Sequence, residues 1–196
     1  MTRETNFEID PTFTQRWSPR AFTGEPLPDE ILQAALEAAR WSPSGGNTQP
    51  WRFIFSRLGS VTWPLFLECL NEGNREWAKN ASALLILLSK KDFMSNGQLT
   101  ESSSYSFDAG AAWMSLALQL TRMGWSSHAM AGIDKQKIRR DFEVPENYNI
   151  EVMIAIGKKG DPAQLSPVLQ SREQPSLRNP LELIQSEGKF KPDWRS

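Results

Sequence analysis

The pattern of apolar and polar positions divides the chain into helices and strands that follow one another along its length. Asp29–Arg40 is predicted to be a helix because apolar residues recur there at helical spacing, at Ile31, Ala34, Ala35 and Ala38. The other main elements predicted are strands at Arg52–Ser56, Ala83–Leu88 and Ile150–Ile156, a short strand or extended segment at Trp125–Met130, and helices at Thr62–Leu70, Ser103–Met123 and Asp134–Phe142. A short helix is predicted at Pro11–Gln15, a turn and short helix at Asn71–Lys79, and one helical turn at Pro180–Ile184. Residues 1–10 are expected to be loosely held, and Lys90–Leu99 is expected to be a loop.

The longest predicted helix, Ser103–Met123, is apolar on two faces. One face carries Phe107, Ala111, Met114 and Leu118, and the other carries Ala109, Ala112, Leu116, Leu120 and Met123. A helix that is apolar on most sides has to be covered on most sides. In a short chain, this favours a helix packed between its own sheet and a partner subunit.

Length and charge narrow the class of protein. A chain of 196 residues, 39% hydrophobic and 23% charged, fits one globular domain over residues 1–196. A net charge of -1 gives no reason to expect a nucleic acid or a membrane as partner.

The single cysteine, Cys69, lies in an apolar run and is interpreted as a buried side chain in a reducing, cytoplasmic setting. The single histidine, His128, makes a metal cluster or a Ser-His-Asp triad hard to assemble.

Two short stretches carry the chemistry. Ser42–Phe53, SPSGGNTQPWRF, reads as a polar loop in which glycines allow positive φ and close backbone approach to a flat ligand. Arg16–Phe22, RWSPRAF, places two arginines beside a serine, and the arginine fork suits a phosphate. Taken singly, each stretch also fits an ordinary surface loop. No Gly-x-Gly-x-x-Gly opens a helix after a strand, so a Rossmann fold is unsupported.

Together, the two stretches resemble the motifs of the flavin-dependent nitroreductase family. That family has an early Arg-x-Ser-x-Arg/Lys-x-Phe motif and a later Asn-x-Gln-Pro-Trp loop, and both occur here in that order. The resemblance implies an α+β fold in which a small mixed or antiparallel sheet is flanked by helices. It also implies an intertwined homodimer whose C-terminal arm crosses to the partner, with the two motifs of one site coming from different subunits.

The resemblance further implies the residues that hold flavin mononucleotide (FMN). Arg16, Ser18 and Arg20, with Arg178 near the C-terminus, would bind the phosphate, and Trp17 in the same motif would also contact the cofactor. Trp17 and Ser176 stand where relatives often have basic residues. The ring edge and flavin N5 would be contacted by Pro43, Ser44, Gly45, Asn47, Gln49, Asn74 and the backbone of Met130, Ala131 and Gly132. His128 is interpreted as a packing or supporting group, with direct proton donation as the alternative.

The activity implied is reduction of bound FMN by NADH or NADPH, followed by reduction of a small-molecule acceptor in a ping-pong sequence. Nitroaromatics, quinones and activated alkenes are the acceptors expected for the family. Three alternatives stay open: a flavin-dependent oxidase, dehydrogenase or dehalogenase; a non-catalytic flavin-binding redox protein; and an α+β domain without flavin.

Overall fold

The computed structural model describes residues 3–191, so the two ends of the predicted 1–196 domain lie outside the described residues. The strands are β1 (Trp51–Arg57), β2 (Ala83–Lys90), β3 (Asp92–Ser95), β4 (Gln98–Glu101), β5 (Ser126–Met130) and β6 (Tyr148–Gly157). The α-helices are α1 (Thr12–Gln15), α2 (Asp29–Arg40), α3 (Trp63–Glu68), α4 (Glu72–Ala78), α5 (Tyr105–Arg122), α6 (Lys135–Asp141) and α7 (Pro167–Gln170). Short 3₁₀ turns occur at Gly45–Asn47, Pro162–Gln164 and Leu181–Leu183.

Four strands form the central sheet in the order β1-β2-β6-β5, and each neighbouring pair is antiparallel. The sheet is therefore the antiparallel form of the expected α+β fold. Strand β2 is central and apolar along nearly its whole length, because both faces of the sheet are covered by helices. Leu85 and Leu87 pack with α2 and α5 on one face, whereas Leu84 and Ile86 pack with α3, α4 and α6 on the other.

The segment after β2 differs from the predicted loop. Residues Lys90–Leu99 do not form a loop, because β3 and β4 pair as a separate hairpin closed by Asn96 and Gly97. Both turn residues have positive φ, 51° and 77°, as a tight hairpin turn with the twist of its strands requires. The Asn-Gly turn was thus predicted correctly. The two strands were not predicted, because the residues on either side of the turn show no clear apolar pattern.

Helix α5 is covered on only one of its two apolar faces. Ala109, Ala112, Leu116 and Leu120 are fully buried against the sheet and α2. On the other face, the Phe107 side chain is 81% exposed, and Ala111, Met114 and Leu118 are only partly covered. Among the described residues, no helix is long and apolar enough to cross a membrane.

Candidate functional site

The segment 16–22, which we call the arginine loop, is fixed against the end of the sheet where β5 begins. The Gly160 N–H donates to the Ala21 carbonyl at 2.8 Å, and the Thr23 N–H donates to the Lys158 carbonyl at 3.1 Å. The Phe22 ring is buried over Gly157, where any Cβ would lie 2.6 Å from a ring carbon. The last residue of the motif is therefore an anchor, which leaves the arginines before it at the surface of the site.

Arg3, Arg16 and Arg178 form a group of cations that we call the arginine cluster. Nη1 of Arg3 donates to the Arg16 carbonyl at 2.8 Å, and its Nε donates to the Ser176 carbonyl at 3.0 Å. Nη1 of Arg178 donates to Ser176 Oγ at 3.0 Å. Burial, and then the charges of Arg178 and Arg3, lower the pKa of Arg16. Within residues 3–191, none of these arginines forms an ion pair with a carboxylate, so the cluster has the character of an anion site.

Arg3 is an exception to the expectation that residues 1–10 are loosely held, because residues 4–9 are exposed and residues 1–2 lie outside the described residues. Its guanidinium also donates to the Thr14 carbonyl at 2.9 Å, so it ties the N-terminal segment to the end of α1 and to the C-terminal segment. From the sequence, few cations were expected at the phosphate site, because Trp17 and Ser176 stand where relatives often have basic residues. Arg3 supplies a further cation, and both Arg3 and Arg178 use Ser176 as an acceptor.

His128 links strand β5 to the arginine loop. Its Nδ1 lies 2.9 Å from the Pro19 carbonyl oxygen, and its ring stacks on Trp77 with the centroids 4.6 Å apart. A carbonyl oxygen can only accept, so Nδ1 carries the proton. Burial lowers the pKa of His128 to about 4, with smaller contributions from the charges of Arg20 and Arg16. The imidazole is therefore neutral near pH 7, which agrees with a packing and supporting role.

The turn after β5 brings Gly132 against the start of α4. The Gly132 carbonyl accepts from Asn71 N–H at 3.0 Å and from Asn74 Nδ2 at 3.1 Å. A Cβ on Gly132 would lie 2.3 Å from Asn71 Nδ2 and 2.8 Å from Asn74 Nδ2. Asn74 and Gly132, which were each expected at the flavin ring, are thus in contact, and Asn71 is a neighbour that sequence reasoning missed. Their contact with the ring stays a prediction. Gly132 lies beyond the end of β5, and its N–H has no acceptor in the described part of the chain.

Two tryptophans near these motifs have different surroundings. Trp77 is fully buried between Phe22 and His128, so it stabilises the contact between α4 and the arginine loop. Trp17 lines a cleft of about 510 Å³ together with Arg3 and Trp125, whereas Arg16, Ser18 and Arg20 do not line that cleft. Trp17 was predicted to contact the cofactor, and this stays a prediction.

Cys69 is fully buried, and its Sγ–H donates to the Leu65 carbonyl at 3.3 Å. Burial raises the pKa of the thiol to about 11, so it stays protonated near pH 7. The interpretation of Cys69 as a buried apolar side chain is confirmed.

Residues 42–49, which we call the glycine loop, are strained and firmly anchored. The φ angles of Gly46, Asn47 and Gln49 are 56°, 54° and 48°. For Gln49 in particular this is an uncommon conformation, of the kind that collects at ligand sites. Ser44 Oγ closes the loop by accepting from the Gln49 N–H at 2.9 Å, while Pro43 and Asn47 remain exposed.

The start of α5 holds the glycine loop in place. The Gly45 N–H donates to the buried Asp108 carboxylate at 3.2 Å, and Ser104 Oγ donates to the same oxygen at 3.0 Å. A Cβ on Gly45 would lie 2.8 Å from Ser104 Oγ. Sequence reasoning missed Asp108, although an acidic residue within an apolar helix was a signal available to it.

Within one chain, the glycine loop and the arginine loop lie at opposite corners of the sheet. The glycine loop leads into Trp51 on β1, which pairs with Ser89, whereas His128 on β5 pairs with Ala155. Three strand spacings and about six residues along β6 separate these positions, a distance on the order of 20 Å or more. The arginine loop, the cluster, Asn74 and Gly132 lie along the β5 edge of the sheet. Pro43, Ser44, Gly45, Asn47 and Gln49 lie beside the start of β1 at the other edge.

Known proteins resemble this chain in sequence and fold. The solved structure described as an oxidoreductase containing FMN is 46% identical, covers 96% of both chains and superposes with a TM-score of 0.94. A Streptomyces coelicolor protein provisionally named NADH dehydrogenase/NAD(P)H nitroreductase is 24% identical over 76% of this chain and 82% of its own. An iodotyrosine deiodinase from Thermotoga neapolitana is 26% identical over 78% of this chain and 89% of its own.

The family model described as the nitroreductase family matches residues 13–158, which include the arginine loop, the glycine loop, Asn74 and Gly132. The match spans most of the chain, so this protein belongs to the nitroreductase family.

Proposed function

We propose that this protein is an FMN-dependent oxidoreductase that uses NADH or NADPH to reduce small-molecule acceptors in a ping-pong sequence. Nitroaromatics, quinones and activated alkenes are the acceptor classes proposed. The observation that carries the proposal is the arginine cluster, in which Arg3, Arg16 and Arg178 converge without an acidic partner in the described residues. A bound dianionic phosphate would relieve their mutual repulsion.

The residues along the β5 edge of the sheet fit the two ends of an FMN molecule. Arg16, Ser18, Arg20 and Arg178, joined by Arg3, would hold the phosphate. The Gly132 N–H, which has no acceptor within residues 3–191, would face the ring where a hydrogen-bond donor is needed, beside Asn74 bound to the Gly132 carbonyl. When bound, the FMN would supply the redox chemistry by accepting a hydride from the nicotinamide and passing electrons to the acceptor.

The side chains of this chain would contribute binding and orientation. His128 is neutral near pH 7 and already donates to Pro19, and the Cys69 thiol is protonated and buried. Neither group is therefore available as a strong acid or nucleophile. The provisional name of the Streptomyces relative supports a nicotinamide nucleotide as the electron donor.

We propose that each complete site is built from two copies of the chain. The glycine loop is too far from the arginine loop to reach the same flavin within one copy, so Asn47 and Gln49 would come from the partner. The exposed face of α5 around Phe107, and exposed apolar side chains of the C-terminal segment at Leu177, Leu183 and Ile184, support an intertwined homodimer. A cytoplasmic location, expected from the single cysteine, stays a prediction.

The test is spectroscopic. The purified protein should show the visible absorption of oxidised flavin, and anaerobic addition of NADH or NADPH should bleach it. An anaerobic screen of nitroaromatics, quinones and alkenes should then restore the colour. A protein that binds FMN but is not bleached by either nucleotide would be a binding protein and would contradict the proposed activity.

The match to the iodotyrosine deiodinase supports a second candidate, reductive dehalogenation of a small aromatic substrate. The same screen separates the two candidates if it includes halogenated phenols. Release of halide, with no reoxidation by nitroaromatics or quinones, would favour the dehalogenase.

A further inference from the structure

One acidic side chain enters the arginine loop from a distant part of the sequence. Glu173 follows α7, and its side chain is only 2% exposed. Its Oε1 accepts from the backbone N–H groups of Arg20 at 2.8 Å and Ala21 at 2.9 Å. These bonds fix the backbone at the second arginine of the motif, so the segment after α7 helps to shape the loop.

The other carboxylate oxygen of Glu173 is incompletely satisfied. Oε2 is buried and has no hydrogen-bond partner in residues 3–191. Its nearest cation is Nη1 of Arg20 at 3.9 Å, which is longer than a charge-assisted hydrogen bond. A buried carboxylate oxygen without a donor is costly and uncommon. The oxygen nevertheless lies within ion-pair distance of a guanidinium that is itself only one-quarter exposed.

The neighbourhood makes this carboxylate unusual. Three further arginines, Arg3, Arg16 and Arg178, carry no carboxylate partner in the described part of the chain, while Glu173 is paired with Arg20 alone. A carboxylate that served only to neutralise charge would gain more electrostatic stabilisation next to the three unpaired arginines of the cluster. The Glu173 carboxylate instead contacts one arginine, Arg20, and the backbone N–H groups of Arg20 and Ala21.

We propose that Glu173 is a positioning residue of the flavin site. Through Oε1 it holds the arginine loop, and through Oε2 it directs the Arg20 guanidinium to where that group meets the cofactor. This inference rests on the proposed function, since it assigns Glu173 a role toward the same FMN. The role requires no contact between Glu173 and the cofactor.

Glu173→Gln tests the second oxygen separately from the first. Glutamine keeps a carbonyl oxygen for the two backbone donors, but its amino group donates where Oε2 would accept, so Arg20 loses its counter-group. FMN should bind the variant apoprotein about tenfold more weakly, as for loss of an interaction with a charged group. The melting temperature of the apoprotein should change little.

A double-mutant cycle shows whether Glu173 acts through Arg20. In an Arg20→Ala background, Glu173→Gln should change FMN affinity by less than about threefold. If Glu173 acts through Arg20, removing Arg20 already removes its effect, so the two losses of binding free energy are not additive. The matched control is Glu25→Gln, which removes the same charge from an exposed side chain paired with Lys158 and should leave affinity unchanged. Tighter FMN binding by Glu173→Gln, or an equal loss in both backgrounds, would overturn the inference.

A readout without flavin tests the first oxygen. Glu173→Ala leaves the N–H groups of Arg20 and Ala21 without their acceptor, so trypsin should cleave the arginine loop faster in this apoprotein than in wild type or Glu173→Gln. Equal cleavage of all three would contradict the loop-holding role. A wild-type protein that binds no FMN would overturn the proposed function and this inference together. A wild type that binds FMN while Glu173→Gln is unchanged would overturn the inference alone.

Discussion

Nδ1 of His128 lies 2.9 Å from the Pro19 carbonyl oxygen, so the strand that leads to Gly132 is tied directly to the arginine loop. The bond is made by a neutral imidazole, since burial lowers the pKa of His128 to about 4. Protonation of this ring is therefore opposed by the fold, which links the stability of the protein to pH.

We expect stability to fall as the pH drops from about 6.5 toward 4. The unfolded chain binds a proton at His128 in this window and the folded chain does not, so the stabilisation is present above the unfolded pKa and is lost below it. Between pH 7 and pH 5, this group should remove about 2 kcal/mol from the free energy of unfolding. Urea denaturation at both pH values measures it. His128→Gln keeps a donor for Pro19 but does not titrate, so an equal loss in that variant would contradict the assignment.

His128→Gln should also retain most of the activity. A side chain that only supports the loop should cost less than tenfold in turnover, whereas loss of a general acid costs about 10²–10⁴-fold. Turnover has to be measured per bound flavin, so that lost cofactor is not counted as lost chemistry. A several-hundredfold decrease with full flavin content would identify His128 as a proton donor.

Arg3→Met should weaken FMN binding by about 1 kcal/mol, as for loss of one charged group from an anion site. The dependence of the dissociation constant on salt should also become less steep. Fluorescence titration of the apoprotein with FMN at two salt concentrations measures both effects. Arg172→Met, at an exposed position outside the cluster, is the control and should bind FMN normally. Unchanged affinity in Arg3→Met would remove Arg3 from the site.

Gly132→Ala should destabilise the protein by about 1–3 kcal/mol, the usual range for overpacking. The new methyl group would lie 2.3 Å from Asn71 Nδ2 and 2.8 Å from Asn74 Nδ2, so Asn74 should move away from the turn. Thermal denaturation and flavin content measure the two consequences. Gly73→Ala is the matched control in α4, because a Cβ there meets no atom within 4 Å. Two alanine variants of equal stability and flavin content would show that the turn is looser than its contacts indicate.

A mixed dimer tests whether each site needs two chains. Arg16→Ala and Asn47→Ala, each present in both chains of a homodimer, should impair both sites. If the arginine loop and the glycine loop of one site come from different chains, a dimer with one variant in each chain has one doubly damaged site and one intact site. Such a dimer should bind about one flavin and recover about half the wild-type activity.

Co-expression of the two variants with different tags yields the mixed dimer for this measurement. The two variant homodimers, purified in parallel, are the controls. If both loops of a site came from one chain, every site in the mixed dimer would carry one lesion and no recovery would appear. A flavin-loaded monomer would contradict the shared site more directly.

Elements governed by local chemistry were predictable from the sequence. Asp134 caps α6 by accepting from the Lys137 N–H at 2.9 Å, and Gly124 ends α5 with φ of 77°, both as expected. The strand Ala83–Leu88 was recognisable because a continuous apolar run marks a strand covered on both faces. The motifs of the arginine and glycine loops likewise indicated the family, which the family model confirms.

Features that depend on distant partners were not predictable. Arg3 lies in a polar segment, and its acceptors belong to Thr14, Arg16 and Ser176, the last of them 173 positions away. Strands β3 and β4 were missed because their pairing, rather than a clear apolar alternation, defines them. Nothing in the polar sequence around Glu173 indicated that its side chain would be buried.

The burial of Cys69 makes the chain a convenient host for site-specific labelling. A protonated thiol held inside the core should react slowly with maleimides, so a second cysteine introduced on the surface would take up nearly all of a dye. A fluorophore at position 61, where Val61 is 99% exposed and lies outside the proposed α5 interface, would report assembly through energy transfer between copies without removal of the native cysteine. The native chain, treated with the same dye under the same conditions, is the control and should take up almost none of it.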